Sequence, residues 1–289
     1  MPIAMSPLRY PGGKTQLYGF VKHTIENNNL TNTIYCEPFS GGAGLAINLL
    51  LSNDVHSIIL NDFDTTIYSV WYAIINDTNS LIKKIEDTSL SIDEWRIQKN
   101  IYSHNIANNI QNYDFNLAFA TFFLNRTNRA GIISGGPIGG YNQESKYDLG
   151  CRFNKSKLIK KIQKIAEQRN RIQLYHLDAS DLINNILIHQ DQTQLFTYFD
   201  PPYYRQGKRL YKNFFDDDKH LQLSNAMRLM DDFKWITTYD NEPRIRDIYN
   251  DRTIYEYKLQ YSANKPRKET ELLFHSNTTI IEPYASVQF

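Results

Sequence analysis

Short β-rich runs that end in polar or glycine-rich turns constrain the fold of this chain more than any other feature. The five clearest runs span residues 33–39, 57–62, 172–178, 194–200 and 233–240. Patterns typical of helices lie between them, and strands that alternate with helices predict a mostly parallel, doubly wound α/β sheet. Two later runs, 253–259 and 271–276, are expected to be antiparallel edge or closing strands.

The alternation is interrupted in the first half of the chain. Up to about residue 150 the sequence is typical of helices with an Asn-rich surface, followed by a glycine-rich, hairpin-like stretch at 131–141. An amphipathic basic helix is predicted next, within 155–171. Its apolar face carries Leu158, Ile162 and Ile165.

The chain length of 289 residues fits one large α/β domain or a mid-sized domain with an insertion. Because the strand–helix alternation stops and then resumes, we predict a catalytic domain that is split in the chain. This domain comprises residues 1–75 and 155–289, and residues 76–154 form the inserted module.

The composition is that of a soluble globular protein. Hydrophobic residues make up 41% of the chain and the mean hydropathy is −0.52, which argues against membrane spans. Cys36 and Cys151 are too few for a disulfide framework or a zinc cluster, and the histidines lack metal-ligand spacing. We expect a cytoplasmic protein without a signal peptide, a membrane span or a bound metal.

The charges are balanced in number but not in position. The 32 basic and 31 acidic residues give no overall indication of nucleic-acid binding. From Arg152 to Arg171, however, eight basic residues accompany one acid, and smaller basic groups recur at 205–212 and 265–268. Such clusters are either solvated surface or phosphate contacts, and their place beside candidate active-site segments favours phosphate contacts.

The segment EPFSGGAG, residues 37–44, follows one predicted strand and opens a predicted helix. Its small residues let a ligand approach the backbone, and the N-terminus of the helix offers free N–H groups. The pattern is not GxGxxG, so a dinucleotide site is a poor match. The segment is either a ligand-binding turn or a tight strand-to-helix turn without a ligand.

Two aspartates follow other predicted strands. Asp62 ends the strand after the glycine turn, where an acid can accept both hydroxyls of an adenosine ribose. Alone it could equally be a turn or cap residue, as Asp64 is expected to be, but the glycine turn favours ribose binding. Asp178 could contact the adenine of such a cofactor or cap the helix that starts near Ser180.

The most specific motif is DPPYY, residues 200–204, directly after the apolar run QLFTYF. Two successive prolines lack N–H donors and fix an extended turn, which leaves their carbonyls free as acceptors. An amino group could donate to the Asp200 carboxylate and the Pro201 carbonyl, while Tyr203 stacks on the flat ring that carries the amine. The alternative is a solvent-exposed Pro-Pro turn with aromatic packing.

The segment PLRYPGGKTQL, residues 7–17, contains GGKT and invites comparison with a nucleotide-binding P-loop. A P-loop needs a glycine at the position of Leu8 and a preceding strand, so we reject an ATPase or a kinase. What remains is a loop that leads into a helix. In it Tyr10 and Lys14 could address an adenosyl ring or a carboxylate.

Six segments of the chain occur in the order seen in one enzyme family. They are PLRYPGGK, EPFSGGAG, ILND, FLNRTNRAGI, DPPYY and KPRKETELLF. Over nearly its whole length the chain resembles the D12-class, Dam-like α-group DNA adenine methylases. The resemblance implies a Rossmann-like methyltransferase sheet with one reversed strand and an inserted helical target-recognition domain with a β-hairpin. It also implies S-adenosyl-L-methionine as methyl donor and double-stranded DNA as substrate.

The resemblance and the basic clusters together predict three groups of site residues. The predicted cofactor contacts are Tyr10, Lys14, Glu37, Pro38, Phe39, Gly41, Gly42, Asp62, Asp178 and Asp200. The predicted catalytic residues are Asp200, Pro201, Pro202 and Tyr203. The predicted DNA contacts are Arg9, Asn125, Arg126, Arg129, Lys265, Arg267 and Lys268.

One departure from the family concerns the target sequence. Arg129 and Ala130 stand where GATC-specific members carry an aromatic-Asn pair, and the glycine-rich stretch that follows is also unlike theirs. A GATC target is therefore not implied.

The resulting hypothesis is site-specific methyl transfer to adenine N6, on a base flipped out of the duplex and by direct in-line attack. The alternatives are transfer to cytosine N4, and a DNA-binding protein of the same fold without catalysis. Methylation of RNA or of a protein glutamine fits the motifs less well. We expect a monomer, and a restriction-modification role would imply a separate cognate endonuclease as partner.

Overall fold

The computed structural model describes residues 5–9, 14–205, 215–261 and 267–289. Its strands are β1 (Ile34–Glu37), β2 (Ser57–Asn61), β3 (Ile172–Tyr175), β4 (Leu195–Phe199), β5 (Lys234–Asp240), β6 (Tyr255–Tyr261) and β7 (Arg267–His275). They form one sheet in the order β3-β2-β1-β4-β5-β7-β6. β1 to β5 pair in parallel, whereas β7 is antiparallel to both β5 and β6.

The predicted α/β sheet with one reversed strand is confirmed, and the last two strands pair antiparallel to each other as expected. β6 takes the edge and points the same way as β1 to β5, and β7 alone is reversed. Only residues 262–266 separate β6 from β7 in the chain, and so short a connection joins strands as antiparallel neighbours. β7 therefore lies between β5 and β6 and brings its first residues to the edge where β5 ends.

Helices cover both faces of the sheet, as parallel strands require. They are α1 (Tyr18–Asn27), α2 (Gly44–Leu51), α3 (Thr65–Asn76), α4 (Thr78–Asp87), α5 (Ile92–Ala107), α6 (Phe115–Thr127), α7 (Lys155–Ala166), α8 (Ala179–Asn185), α9 (Asp217–Arg228) and α10 (Pro243–Ile248). Neighbouring strand residues face opposite layers, so Tyr35 packs in one core with Trp71, and Cys36 packs in the other with Met227. No helix within the described ranges has the length and hydropathy needed to span a bilayer.

The helices α4 to α6 lie in the chain between α3 and α7, within the predicted insertion. Their residues Leu81, Trp95 and Phe122 belong to the same buried core as Tyr35 on the sheet. α7 buries the apolar face that its sequence pattern predicts. The helices of the insertion are thus packed onto the sheet layer, while its division from the catalytic domain at residues 76 and 154 stays a prediction.

Acidic and amide side chains cap several helices as their sequence positions indicate. The Asp64 carboxylate accepts the Thr66 N–H at 2.8 Å at the start of α3, which confirms the predicted cap. The Asp114 carboxylate accepts the Leu117 N–H at 2.6 Å at the start of α6. These bonds satisfy backbone donors that the first helical turn leaves without partners.

The glycine-rich stretch at 131–141 differs from the predicted hairpin. In this fully described stretch the backbone forms turns, closed by one antiparallel bridge between Asn128 and Pro137 instead of a pair of strands. Pro137 has no N–H with which to extend a ladder. Gly139 and Gly140 have φ of 87° and 78°, outside the extended region that a strand needs.

Candidate active site and adjoining basic cleft

The candidate residues gather at the edge of the sheet where the parallel strands end. Asp62 follows β2, Asp200 follows β4, and Asp240 is the last residue of β5. Because β7 is reversed, its central residue Glu271 lies at the same edge and pairs with Asp240 in the sheet register. Open α/β sheets bind ligands at the carboxyl ends of their strands, and this edge collects the acidic side chains of the site.

The turn after β1 is held tightly beside β2. Gly41 and Ala43 have φ of 45° and 42°, in the left-handed region that favours glycine. The Gly41 N–H donates to the Asp62 carboxylate at 2.7 Å, and the Gly41 carbonyl accepts the Trp71 indole N–H at 2.8 Å. The predicted glycine turn, with Gly42 buried inside it, is therefore in direct contact with the predicted ribose-binding acid.

The side chain of Glu37 lies beneath this turn. Its carboxylate accepts the Tyr35 hydroxyl and the Ala46 N–H, both at 3.0 Å. Burial raises the pKa of Glu37 to about 8. Glu37 and the buried Pro38 thus fix the start of α2 from below, so Glu37 acts on any ligand through the turn that it supports.

The Asp62 carboxylate forms part of the rim beside the turn. It also accepts the Asp64 N–H at 3.0 Å, so each of its oxygens accepts one backbone donor and keeps a second lone pair. Loss of hydration raises the pKa of Asp62 to about 7, and the negative charge of Asp64 acts in the same direction. The partly exposed carboxylate can accept further hydroxyl donors.

Asp200 opens towards solvent at the end of β4. Its side chain is 25% exposed and accepts the Thr238 hydroxyl at 3.2 Å, and the Lys14 ammonium lies 3.7 Å away. Burial raises the pKa of Asp200 to about 6, while the charge of Lys14 lowers it and that of Glu271 raises it further. Above that pH the side chain is a carboxylate that can accept hydrogen bonds from an amine.

The DPPYY loop is fixed by an acid that the sequence pattern did not identify. Asp240 accepts the backbone N–H groups of Tyr204 and Arg205, each at 2.9 Å. Burial raises the pKa of Asp240, whose side chain is enclosed behind the loop. Pro201 and Pro202 have no N–H to offer, so the loop depends on their rings and on this carboxylate for its shape.

Glu271 is the second functional acid that sequence reasoning missed. It is 1% exposed, and its carboxylate accepts the Lys14 ammonium at 3.0 Å, the Tyr203 hydroxyl at 2.6 Å and the Tyr257 hydroxyl. Lys14 also donates to the Tyr203 hydroxyl and lies 4.7 Å from the centre of that ring. The available signal was an acid at the head of an otherwise apolar run, ELLF, because such an acid needs partners once it is buried.

The remaining predicted cofactor residues differ in the contacts that they make. Asp178 caps α8 by accepting the Ser180 N–H at 2.9 Å and pairs with Lys219 at 3.2 Å, which is the alternative that the sequence left open. Its contact with the cofactor's adenine stays a prediction. Phe39 is partly buried and meets Phe215 edge to face, with ring centres 5.9 Å apart. The predictions for Tyr10 and Lys265, and for the side chains of Arg267 and Lys268, lie outside the described residues.

A second feature, the arginine cleft, lies beside the loop that follows α6. This open cleft of about 220 Å³ is lined by Arg9, Arg129, Ala130, Ile138, Tyr147, Cys151 and Arg152. None of these lining residues is acidic. Burial lowers the pKa of Arg9, and the charge of Arg152 adds to that shift. Positive charge in the cleft is thus not balanced by an acid among its lining residues.

The backbone of Arg9 is held in place by a buried amide. Asn125 is 1% exposed, accepts the Arg9 N–H at 2.8 Å, and donates to the carbonyls of Arg9 at 2.6 Å and Gly131 at 3.0 Å. A Cβ at Gly131 would lie 2.6 Å from the Arg9 carbonyl oxygen, so only glycine fits there. Asn125 therefore positions Arg9, and a direct DNA contact by its side chain would break these bonds.

Arg126 and Arg129 take different places around the cleft. The Arg126 guanidinium donates to the backbone carbonyls of Arg152 and Pro7, behind the cleft surface. Burial lowers the pKa of Arg126 to about 10, with the charges of Arg9 and Arg152 adding to the shift. Arg129 and Arg152 are exposed, so they present their charges to solvent. Arg152 begins the basic run for which the sequence favoured phosphate contacts, but it was not among the predicted DNA contacts.

Comparison with known proteins gives one family match. Residues 10–263 match the family model described as D12 class N6 adenine-specific DNA methyltransferase. No curated protein matches the chain.

Two solved structures resemble the fold distantly. A candidate RNA methyltransferase, PH1948 from Pyrococcus horikoshii, is 10% identical to this chain, with a TM-score of 0.39. The match covers 95% of this chain and 87% of the PH1948 chain. The rRNA methyltransferase aviRa from Streptomyces viridochromogenes is 11% identical to this chain, with a TM-score of 0.35. The match covers 90% of this chain and 85% of the aviRa chain.

Proposed function

Because the chain belongs to the D12 class N6 adenine-specific DNA methyltransferase family, we propose that it methylates adenine N6 within a defined double-stranded DNA sequence. The family is that of enzymes that take a methyl group from S-adenosylmethionine and act on DNA. The observation that carries the choice of an exocyclic amine is the Asp200 carboxylate, open at the end of β4 and followed by a donor-free Pro-Pro loop.

The residues at the sheet edge fit S-adenosylmethionine. The Asp62 carboxylate is partly exposed beside the left-handed turn at Gly41, where hydroxyl groups of a ribose could donate to it. Asp200 and Glu271 together carry one negative charge more than Lys14 neutralises, which suits a sulfonium cation. Bound S-adenosylmethionine supplies a methyl group that its sulfonium already activates.

The protein's own groups align the amine by accepting hydrogen bonds from it, and the Asp200 carboxylate can take up the one proton that the amine loses on methylation. The Asp200 carboxylate and the Pro201 carbonyl accept the two N6 hydrogens, which directs the nitrogen lone pair towards the methyl group. Tyr203 stacks on the purine, and the base leaves the duplex to reach it, since an adenine inside the stack cannot enter the pocket. Attack is direct, because Cys36 is buried within β1 and Cys151 lines the arginine cleft, away from Asp200.

The nucleoside that receives the methyl group tests this proposal. We would incubate the protein with labelled S-adenosylmethionine and plasmid DNA, digest the DNA to nucleosides and identify the labelled one. Label in N6-methyladenine supports the proposal. Label in N4-methylcytosine would instead establish the alternative substrate, for which the pocket offers the same acceptors, and no label would indicate a DNA-binding protein without catalysis.

The arginine cleft would contact the DNA backbone. Arg9, Arg129 and Arg152 converge there without acidic partners in the lining, and residues 76–154 would supply the surface that reads the bases. Cys151 reports on this contact, because it is exposed in the cleft while Cys36 is buried. DNA should slow the alkylation of Cys151, and added salt should restore it. Alkylation at the same rate with and without DNA would contradict the assignment.

A further inference from the structure

The reversed strand β7 contributes Glu271 to the site, a residue that lies outside the DPPYY motif. We propose that Glu271 is a positioning residue, which fixes the ring of Tyr203 and keeps the ammonium of Lys14 away from Asp200. This inference rests on the methyl transfer proposed above. It adds a function for β7, the strand whose reversal brings Glu271 to the carboxyl ends of β4 and β5.

Both oxygens of Glu271 are used as hydrogen-bond acceptors. Oε1 accepts the Tyr203 hydroxyl at 2.6 Å and the Lys14 ammonium at 3.0 Å. Oε2 accepts the Tyr257 hydroxyl, and Lys14 lies 3.2 Å from it. The donors come from three separate parts of the chain: the turn before α1, the loop after β4, and β6. A carboxylate that is 1% exposed needs such partners, and here it joins all three parts at one point.

The hydrogen bond to Glu271 fixes the orientation of the Tyr203 ring. A tyrosine in a loop can rotate about two side-chain bonds, but its ring is fixed once the hydroxyl at its far end is anchored. Stacking on a flat base needs one ring orientation. A phenylalanine at this position would keep the stacking surface and lose the anchor, which explains a specific need for the hydroxyl group.

The same carboxylate determines where the charge of Lys14 lies. The Lys14 nitrogen is 3.0 Å from Glu271 and 3.7 Å from Asp200, so Glu271 holds the ammonium more closely. If Glu271 were neutral, Asp200 would be the only one of these two acids left with a negative charge to attract Lys14. The ammonium would then compete with the substrate amine for the lone pairs of Asp200, and the transfer step would slow.

A buried ion pair can also serve the fold alone, so the test needs a control of the same chemistry elsewhere. The chain contains one: Asp54 accepts Lys22 at 2.7 Å and the Tyr18 hydroxyl, far from the DPPYY loop in the fold. Asp54→Asn is thus matched to Glu271→Gln. Each replaces a carboxylate that binds one lysine and at least one tyrosine by an amide of nearly the same shape.

The first measurement is kcat and KM on plasmid DNA with labelled S-adenosylmethionine. Glu271→Gln should lower kcat about 100-fold, since small misplacement of aligned groups costs about that much. KM for S-adenosylmethionine should change less than about threefold, because Glu271 acts on alignment and not on uniform binding. Asp54→Asn should keep the wild-type kcat. Equal kcat values for wild type and Glu271→Gln, or equal losses in the two variants, would overturn the proposal.

The second measurement asks whether Glu271 acts through Tyr203 and Lys14. In double-mutant cycles, Glu271→Gln combined with Tyr203→Phe, or with Lys14→Met, should lower kcat by much less than the product of the single effects. Multiplicative losses in either cycle would overturn the proposal. If Glu271→Gln does not fold, Tyr203→Phe alone decides: it keeps the ring, so a wild-type kcat would refute the anchor. If the wild-type protein transferred no methyl group to N6, the proposed function would be refuted instead. That result comes from the wild type alone, so it is distinguishable from any result with the Glu271 variants.

Discussion

The Asp200 pocket and the arginine cleft are both rich in charge, but they balance it differently. In the pocket Lys14 lies between two acids and donates to Tyr203, so each charged group has partners within the protein. In the cleft Arg9 and Arg152 both line the surface and the charge of Arg152 acts on Arg9, with no acid among the lining residues. A pocket whose charges are paired, with one negative charge left for the sulfonium cation, can align a neutral base, whereas a cleft whose lining has no acid suits an anion from outside. The proposed function accordingly divides between them, with chemistry proposed for the first region and DNA affinity for the second.

Loss of the Asp200 carboxylate should produce the largest effect and should be confined to chemistry. In Asp200→Ala the amine loses its charged acceptor, and we expect kcat to fall about 1,000-fold, as for other groups that stabilise developing charge. DNA affinity, measured by fluorescence anisotropy, should stay at the wild-type value because the cleft is intact. A variant that loses DNA binding to the same extent would break the separation of the two regions.

Acidification should act on the same group without a mutation. Asp200 has a pKa raised to about 6, chiefly by burial, and only its ionised form accepts both hydrogen bonds well. The rate of methyl transfer at saturating substrates should therefore fall about tenfold for each pH unit below 6, and level off above it. Single-turnover rates between pH 5 and pH 8 would measure this, and a rate that rises on acidification would contradict it.

Removal of one cleft arginine should affect affinity and spare chemistry. Arg152→Ala should weaken DNA binding about tenfold, and reduce the slope of log Kd against log salt by about 1. The rate at saturating DNA should be unchanged. Arg228→Ala is a suitable control, since Arg228 pairs with Asp251 at 3.0 Å and has its charge balanced. A salt dependence equal to that of the wild type would remove Arg152 from the DNA surface.

The buried amide behind the cleft should contribute to stability as well. Asn125→Ala leaves the Arg9 N–H and the carbonyls of Arg9 and Gly131 without their partner. We expect the free energy of unfolding to fall by about 2–4 kcal/mol in urea denaturation, with weaker DNA binding in the folded fraction. Asn108→Ala, at an exposed helix end, should change it by less than about 0.5 kcal/mol. Similar values for both variants would show that Asn125 does not hold Arg9.

Glu37 should contribute to the pH dependence of stability. Its pKa is about 8 when folded and ordinarily 4.5, so the folded state binds more protons between these values and stability falls as pH rises. Glu37→Gln keeps an acceptor for Tyr35 and Ala46 but cannot titrate. As pH rises, the unfolding free energy of Glu37→Gln should therefore fall less steeply than that of the wild type. The two slopes should differ by up to about 1.4 kcal/mol per pH unit. Parallel curves for the two proteins would contradict a buried, protonated Glu37.

Local and periodic features made much of the fold and site predictable. Strand–helix alternation predicted the sheet, and motifs at the ends of predicted strands identified Asp62, Asp200 and the glycine turn as site residues. Asp240 and Glu271 were missed, because they reach the site through strand register and through the reversal of β7, which depend on contacts distant in sequence. No single-sequence pattern shows that Asp240 and Glu271 are opposite each other.

The basic cleft shows the same limit. Arg9 and Arg129 were predicted from motifs, but the position of Arg152 beside them depends on how the loop after α6 folds. Residues 131–141 form turns because Gly131, Gly139 and Gly140 have positive φ and Pro137 lacks an N–H. The glycine-rich sequence of this stretch was equally compatible with the predicted hairpin. Asn125 was predicted to contact DNA from the family resemblance of the segment FLNRTNRAGI, although the helix directs its side chain inward.

The most direct test of the central claim is modified-base sequencing of DNA from a host that lacks its own adenine methylation and expresses this chain. We predict N6-methyladenine at one defined sequence motif in cells with the wild-type protein, and none in cells with Asp200→Ala at equal expression. N4-methylcytosine, no modified base with the wild type, or the same N6-methyladenine pattern with Asp200→Ala would contradict the assignment of Asp200 as the acceptor for the target amine.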